Sequence, residues 1–264
     1  MMLEGKRLLI TGVATTGSIA HATARRCLDE GADVVLTAFP RDHDRVVELA
    51  RDLDPAVPVL SLDLTDAGQV DEVARTLGAE GGRLDGALHA VAFAPQAALD
   101  GAMVDAEPAG IELAFRTSAW SLTALAGLLT RLAPATGGSL VGLDFDADDR
   151  AWPTYNWMGV CKAALRSSAR YLARDLGPAG IRVNLVAAGP LRTRAAGGIP
   201  GFDLLEKAWA STSALPWDVQ DAAPVADVAA FLLSDGARAM TAEVLHVDGG
   251  FHAMAAPRAD AVAD

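Results

Sequence analysis

An α/β fold is predicted for this chain: a single domain on one doubly wound parallel sheet of about seven strands, with helices on both faces. Two observations predict it. Short runs rich in leucine, isoleucine and valine alternate with amphipathic helical patterns along most of the chain. A glycine-bearing turn separates the first strand from the first helix. Because right-handed crossovers connect parallel strands, this alternation places helices on both sides of the sheet.

The predicted strands are short apolar runs without helical periodicity, which is typical of strands that are buried on both faces. In chain order they span residues 6–11, 32–39, 57–63, 84–93, 137–145, 181–187 and 243–250. The predicted helices repeat their apolar residues every three or four positions. They span residues 18–31, 41–53, 65–78, 110–133, 152–176 and 225–235. Gly31 is predicted to end the first of these helices.

Residues 194–219 interrupt the alternation, since the stretch GGIPG is followed by the short amphipathic pattern FDLLEKAWA. Glycines give such a segment hinge freedom, so it is predicted to be a substrate loop. No repeat or linker divides the chain, so residues 1–252 are predicted to form one catalytic domain. Residues 253–264 are predicted to be a flexible C-terminal tail.

The composition excludes several classes of function. The chain has 264 residues and a formal net charge of −12, so its overall field repels nucleic acids. No apolar run approaches the roughly 20 residues of a membrane span, so no membrane insertion is predicted. The two cysteines, Cys27 and Cys161, give neither a disulfide framework nor a metal-ligand cluster. A cytoplasmic, thiol-reduced protein without a metal site is therefore predicted.

The turn after the first strand, TGVATTGSIAHA, has the chemistry of a phosphate-binding turn. Gly12 and Gly17 are predicted to stand where a Cβ would clash. Ser18 is predicted to cap the next helix, whose N-terminal amides then face a pyrophosphate. An ordinary glycine-rich turn explains an isolated match, but this one follows the first strand of a long βαβ series. That position favours a Rossmann-type, dinucleotide-binding domain.

The second strand ends in AFPR, without the acid that this fold usually places on the adenosine ribose. Phe39 can stack on an adenine, and Arg41 can face either a 2′-phosphate or solvent. These residues alone leave NAD and NADP open. Asp63, at the end of the third strand, can accept a hydrogen bond from the adenine amino group or cap the following helix, and both alternatives stay open.

The segment TYNWMGVCK holds one of the two tyrosines and one of the three lysines of the chain. On a helix, Tyr155, Met158 and Lys162 share one face, and nearly two turns, about 10.5 Å, separate the phenol from the amine. The phenol can then donate to a carbonyl oxygen while the ammonium binds another part of the same elongated ligand. A core tyrosine and a surface lysine are the alternatives, but their joint occurrence favours the functional interpretation.

Several segments resemble the NADH-dependent enoyl-acyl-carrier-protein reductases, a divergent branch of the short-chain dehydrogenase/reductases, and look most like the isoniazid-target type. In order, between about residues 3 and 252, they are TGVATTGSIA, LTAFPR, VGLDFD, YNWMGVCK, NLVAAGPLRT and VDGGFH. The spacing Tyr-x6-Lys is diagnostic of this branch. Ordinary short-chain dehydrogenases use Tyr-x3-Lys with an upstream serine, and here Gly159 and Gly142 occupy those two positions. Alcohol or ketone chemistry is therefore disfavoured.

The resemblance implies hydride transfer from NADH to C3 of a trans-2-enoyl thioester, with charge developing as an enolate on the thioester oxygen. It implies that Tyr155 donates a hydrogen bond to that oxygen and that Lys162 holds the nicotinamide ribose. Phe145 is expected to pack beside the nicotinamide and the reacting double bond, a core aromatic at a strand end being the alternative. These three are the predicted catalytic residues. The predicted substrate contacts are Tyr155, Met158 and Phe93.

The resemblance also implies contacts with the cofactor, NADH rather than NADPH, from the loops at the strand ends. The residues concerned are Gly12, Ser18, Ile19, Phe39, Asp63, Leu64, Val91, Ala92, Lys162, Ala188, Gly189, Pro190, Leu191 and Thr193. The substrate is expected to be an enoyl thioester, carried on acyl carrier protein or coenzyme A. A homotetramer is implied as well.

Two loops depart from the family pattern. Related enzymes commonly have serine and glycine at the positions of Ala90 and Ala92. The loop after the predicted nicotinamide contacts looks shorter than in the isoniazid-target enzymes, so less apolar wall is available and shorter or unusual acyl chains are expected. Arg192, Arg194 and Lys207 lie around this loop in an acidic protein. They are predicted to receive an acidic carrier protein, a scattered solvated surface being the alternative.

Two other functions are compatible with these residues. One is a short-chain dehydrogenase that acts on a ketone or an imine in specialised metabolism. The other is a non-catalytic NAD-binding protein, in which the altered loop after the fourth strand has removed activity. NADH oxidation with a crotonyl thioester, compared with keto substrates, distinguishes all three.

Overall fold

Seven parallel strands form one sheet in the structure, a computed structural model that describes residues 1–79, 82–147 and 150–261. The strands are β1 (Arg7–Ile10), β2 (Asp33–Ala38), β3 (Val59–Ser61), β4 (Gly86–His89), β5 (Gly138–Asp144), β6 (Ile181–Ala188) and β7 (Val244–Val247). Their spatial order is β3-β2-β1-β4-β5-β6-β7, with every neighbouring pair parallel. The direction of winding reverses between β1 and β4, which opens a crevice at their carboxyl ends.

Helices cover both faces of the sheet. They are α1 (Ile19–Asp29), α2 (His43–Leu53), α3 (Ala67–Ala79), α4 (Pro108–Phe115), α5 (Ser121–Leu132), α6 (Asn156–Leu176), α7 (Phe202–Thr212) and α8 (Ala223–Leu233). Side chains alternate along β1: Leu8 and Ile10 pack with α1, α2 and α8, whereas Leu9 packs with α3, α5 and α6. The predicted Rossmann-type α/β sheet is confirmed. No helix in the described ranges is long and apolar enough to cross a bilayer.

Two predicted helices differ from the structure near the crevice. A π-helical turn, Arg116–Trp120, interrupts the helix predicted for residues 110–133 and lies between α4 and α5. The helix predicted from residue 152 begins only at Asn156, whose φ of 31° is unusual for a residue other than glycine. Asparagine tolerates positive φ better than most residues, and Asn156 Nδ2 donates to Gly101 O at 3.0 Å. Tyr155 therefore stands just before α6 rather than within it.

The C-terminal segment contacts the end of α7. Arg258 N donates to Ser211 O at 2.8 Å, and Arg258 Nη1 donates to Ser213 O at 2.9 Å. Helix α7 itself lies within the predicted substrate loop, where the amphipathic pattern indicates a helix. The flexibility of residues 253–264 stays a prediction, and residues 262–264 lie outside the described part of the chain.

Candidate active site

The carboxyl end of β5 brings the predicted phenol, ammonium and aromatic ring together. Lys162 Nζ donates to Leu143 O of β5 at 2.8 Å. Phe145 directly follows β5, and its ring centroid lies 5.0 Å from that of Tyr155. The side chains of Phe145, Tyr155 and Lys162 are all buried. Met158 of α6 is buried in the same cluster as Tyr155 and Phe145, although Tyr155 does not share its helix face.

Tyr155 keeps its proton at this position. Burial raises the pKa of Tyr155, and the negative charge of nearby Asp144 raises that pKa further. A protonated phenol is a hydrogen-bond donor. Tyr155 can therefore stabilise an oxygen atom that becomes negative during a reaction, provided that atom reaches the site.

Lys162 carries an ammonium group into the protein interior. Burial lowers the pKa of Lys162, and the negative charge of Asp144 opposes that shift. One turn further along α6, Arg166 forms buried ion pairs with Asp144 and, at 3.1 Å, with Asp146. Two carboxylates thus accompany the two cations, which offsets the cost of burying the lysine charge.

The sequence analysis missed Asp144 and Arg166. The spacing of these charged residues in the sequence is the signal that could have found them. Asp144 and Asp146 flank Phe145 in the run DFD. In extended backbone successive side chains point to opposite sides, so both acids are predicted to point away from the aromatic ring. Arg166 follows Lys162 by one helical turn on the same face of α6. One basic and two acidic side chains directed to the same side of the site predict a buried cluster of ion pairs.

The turn between β1 and α1 packs against the loop after β4. Gly12 has a φ of 82°, and a Cβ at this position would lie 2.0 Å from Ala90 O, so glycine is required there as predicted. The prediction of a clash at Gly17 is wrong. Apart from its chain neighbours, no described atom lies within 4 Å of a Cβ built at Gly17. Gly17 leaves open space in front of α1.

Ser18 caps α1 as predicted. Its Oγ accepts from His21 N at 3.3 Å and donates to Thr15 O at 2.7 Å. The first amides of the helix, beginning at Ile19, have no acceptor within the helix. Since the open space at Gly17 precedes them directly, the N-terminus of α1 fits an anionic group such as a pyrophosphate.

The ends of β2 and β3 lie side by side, because Ala38 pairs with Ser61. Phe39 follows β2 and is half-buried. The Arg41 guanidinium lies 5.3 Å above the centre of the Phe39 ring. The guanidinium therefore covers one face of the Phe39 ring, at the end of the crevice where an adenine is predicted.

Asp63 has a structural partner at the end of β3. Its Oδ1 accepts from both Thr65 N and Thr65 Oγ1 at 2.8 Å, so it holds the turn that precedes α3. The cap nearer to α3 is Asp66, whose Oδ1 accepts from Gly68 N at 2.8 Å. Leu64 is buried in the core, so only its backbone is available for a ligand.

The loop after β4 is fixed by the π-helical turn. Val91 is half-buried, Ala92 is exposed, and the predicted substrate contact Phe93 is 47% exposed. Ser118 Oγ accepts from Phe93 N at 2.9 Å and donates to Phe93 O at 3.0 Å. The interruption between α4 and α5 thus supplies a loop anchor that the sequence analysis missed; its signal is a serine inside an apolar helical pattern.

His89 ends β4 and is fully buried next to this anchor. Its Nε2 lies 2.7 Å from Ser121 Oγ, and the Ser121 hydroxyl donates to Thr117 O at 2.6 Å. Burial lowers the pKa of His89 to about 3, and the charge of Lys162 lowers it as well. His89 is therefore neutral and adds no charge to the site.

The end of β6 and the loop after it carry the predicted nicotinamide contacts Ala188, Gly189, Pro190, Leu191 and Thr193, of which the first four are buried. A Cβ at Gly189 would lie 2.7 Å from the Trp217 ring, so only glycine fits there without a shift. Trp217 Nε1 donates to Pro190 O at 2.8 Å. Thr193 is half-buried, and its Oγ1 accepts from Ala196 N at 3.2 Å.

The three basic residues around the substrate loop are each close to a carboxylate. The pairs are Arg192 with Glu206, Arg194 with Asp42 at 3.5 Å, and Lys207 with Asp203 at 3.7 Å. Their charge is locally balanced, so the basic patch predicted for carrier docking is weaker than the sequence indicates. The contact between Arg194 and Asp42 joins the loop after β6 to the segment after β2, so the predicted substrate loop contacts that segment.

Comparisons with known proteins all identify one family. The family model described as "Enoyl-(Acyl carrier protein) reductase" matches residues 12–252. A Mycolicibacterium smegmatis protein named "Enoyl-[acyl-carrier-protein] reductase [NADH]" is 39% identical over 264 residues, which cover 94% of this chain and 97% of that protein. Similarly named proteins of Aquifex aeolicus and Escherichia coli are each 39% identical over 256 residues. Those alignments cover 96% and 94% of this chain, and 93% and 95% of the two relatives.

Proposed function

Because the chain belongs to the enoyl-(acyl carrier protein) reductase family, we propose that it reduces the 2,3 double bond of a trans-2-enoyl thioester with NADH, in fatty acid or related biosynthesis. The resemblance drawn from the sequence segments is thereby confirmed. One observation carries the proposal: at the carboxyl end of β5, the protonated Tyr155 packs against Phe145 and the buried Lys162 donates to Leu143 O.

The proposed roles follow from the positions of these side chains. NADH, when bound, supplies the hydride. Tyr155 donates a hydrogen bond to the thioester oxygen, where negative charge develops as the enolate forms. Lys162 binds ribose hydroxyls and adds positive potential, and Phe145 excludes water beside the reacting double bond. Ser18 and the N-terminus of α1 hold the pyrophosphate. We propose that the other predicted cofactor contacts also bind NADH, from the strand ends where the fold places them.

One observation supports NADH over NADPH as the cofactor, and a second supports an enoyl group over a ketone as the substrate. Asp42 lies 3.6 Å from Arg41, so its carboxylate weakens the attraction of that guanidinium for a 2′-phosphate. At Gly142, where ordinary short-chain dehydrogenases have serine, a Cβ would lie 2.6 Å from Leu185 Cδ2. A serine hydroxyl at that position has no room unless Leu185 moves.

We further propose that the thioester is carried by acyl carrier protein, and that the chain forms a homotetramer in the cytoplasm. The exposed apolar side chains of Leu113, Phe115 and Trp120, from α4 and the π-helical turn, support assembly. Cys27 and Cys161 are both free thiols, which supports a reducing compartment.

A spectrophotometric assay of NADH oxidation tests the proposed function against its alternatives. Crotonyl thioester and acetoacetyl thioester are compared, each with NADH and with NADPH. Turnover with crotonyl thioester and NADH is expected. Turnover with the keto substrate alone would indicate a ketone reductase, and cofactor binding without turnover would indicate a non-catalytic protein.

The alkaline limit of activity is predicted to come from Lys162. Burial lowers the pKa of Lys162 and raises the pKa of Tyr155, so the lysine loses its proton first as the pH rises. We expect kcat/KM for NADH, which reports the free enzyme, to fall at a pH below the ordinary lysine value of about 10.4. In Lys162→Met that fall should disappear from the pH profile. An unchanged profile in this variant would assign the limit to another group.

A further inference from the structure

Trp152 and Trp209 pack against Phe145, and Phe251 packs against both of these indoles; we name Trp152, Trp209 and Phe251 the aromatic wall. The rings of Trp152 and Trp209 lie 5.5 Å and 5.7 Å from that of Phe145, centroid to centroid. Trp209 and Phe251 stack at 3.8 Å with only 8° between their planes, and Trp152 lies within 5.6 Å of both. The segment before α6, helix α7 and the segment after β7 thus build one continuous apolar layer.

Hydrogen bonds hold both indoles of the aromatic wall. Trp152 Nε1 donates to Asp146 O at 2.8 Å, and Trp209 Nε1 donates to Asp248 O at 3.0 Å. Trp209 is 1% exposed, so turning its ring away would leave a buried N–H without an acceptor, which is unfavourable. The aromatic wall is therefore a fixed surface rather than a gate that swings open.

Residues of the aromatic wall line two surface cavities. One, of about 260 Å³, is lined by Trp152 and Phe251, and the other, of about 450 Å³, is lined by Trp209. Neither is lined by Phe145 or Tyr155. Phe145 therefore contacts Trp152 and Trp209 but not the cavities that these indoles line.

We propose that Trp152 sets the acyl-chain length, restricting this protein to short-chain enoyl thioesters. This inference rests on the proposed function. With the thioester oxygen at Tyr155 and the double bond beside Phe145, the carbons beyond C3 pass the Phe145 ring and meet Trp152. Trp152 contacts Phe145 and also lines the cavity of about 260 Å³, so its indole stands between the Phe145 ring and that cavity. Removing the indole is expected to open this space toward Phe145.

The test compares Trp152→Ala with the wild-type protein on coenzyme A thioesters of C4, C8, C12 and C16 trans-2-enoic acids, using NADH. Wild type should prefer C4 or C8. The ratio of kcat/KM for C12 to that for C4 should rise at least about tenfold in Trp152→Ala, the discrimination that a few methylenes in an apolar pocket give. Tyr171→Ala is the matched control, because Tyr171 is an aromatic residue that is 60% exposed on α6, outside the aromatic wall. Its ratio should equal the wild-type ratio.

An unchanged C12-to-C4 ratio in a folded Trp152→Ala that reduces the C4 thioester would overturn the inference and leave the proposed function standing. A wild-type optimum at C16 would have the same consequence. If wild type reduces no enoyl thioester of any length, the proposed function fails first and the inference with it. Trp152→Leu, which keeps part of the apolar volume, replaces the alanine variant should that one not fold, and a smaller rise of the ratio is then expected.

Discussion

Tyr155→Phe is expected to lower kcat/KM for a crotonyl thioester by about 100- to 1,000-fold, the usual effect of removing one hydrogen-bond donor to a developing oxyanion. The substitution removes the hydroxyl and keeps the ring, so the 5.0 Å contact with Phe145 is preserved. The affinity for NADH should change little, because the hydroxyl serves the substrate oxygen. Steady-state kinetics at saturating NADH give the first quantity, and a fluorescence titration gives the second.

Tyr171→Phe is the matched control for this substitution. Tyr171 is the other tyrosine of the chain, lies on α6 and is 60% exposed. Loss of the Tyr171 hydroxyl should leave kcat/KM for the crotonyl thioester within about twofold of the wild-type value, roughly the spread of ordinary surface substitutions. A Tyr155→Phe protein that turned over at the wild-type rate would remove this residue from the reaction.

Lys162→Met is expected to weaken NADH binding by about 10- to 100-fold, since a hydrogen bond from a charged donor contributes about 1.5–3 kcal/mol. Methionine has nearly the length of lysine and no charge, so the apolar contacts along α6 are largely kept. Asp144 retains Arg166 as an ion-pair partner, so no carboxylate is left unpaired and the fold should survive. The dissociation constant of NADH and a thermal unfolding curve are the two measurements.

Lys207→Met controls for the loss of a positive charge. Lys207 lies on α7, is 77% exposed and has Asp203 at 3.7 Å. An exposed pair of this kind contributes little, so NADH affinity should be unchanged. Equal NADH affinity in wild type and folded Lys162→Met would show that the buried ammonium does not hold the cofactor.

The sheet was predictable because its strands are buried on both faces, and their apolar runs stand out in the sequence. Their ends were less predictable. The run predicted as 84–93 stops pairing at His89, opposite Gly142, although β5 continues beside β6 to Asp144. An apolar residue does not by itself indicate where its strand leaves the sheet. The break at Arg116–Trp120 also depends on a distant loop, since Ser118 bonds Phe93.

Within the candidate site, the residues on one local segment were predictable. Met158 and Lys162 lie on α6 as predicted, whereas Tyr155 stands just before the helix and reaches the site because it is close in sequence. Long-range packing is what the sequence did not reveal. The aromatic wall draws on segments about 100 residues apart in the chain, and nothing local to Phe251 indicates that it stacks on Trp209. The open space at Gly17 was missed for the same reason, since a clash requires a neighbour.

Hydride transfer to C3 is the central claim, and an isotope experiment tests it most directly. NADH carrying deuterium at both C4 positions of the nicotinamide is oxidised with crotonyl thioester, and the product is examined by NMR and mass spectrometry. The account predicts a butyryl thioester with one deuterium at C3 and none at C2. Deuterium on the carbonyl carbon, or a saturated product without deuterium, would contradict it.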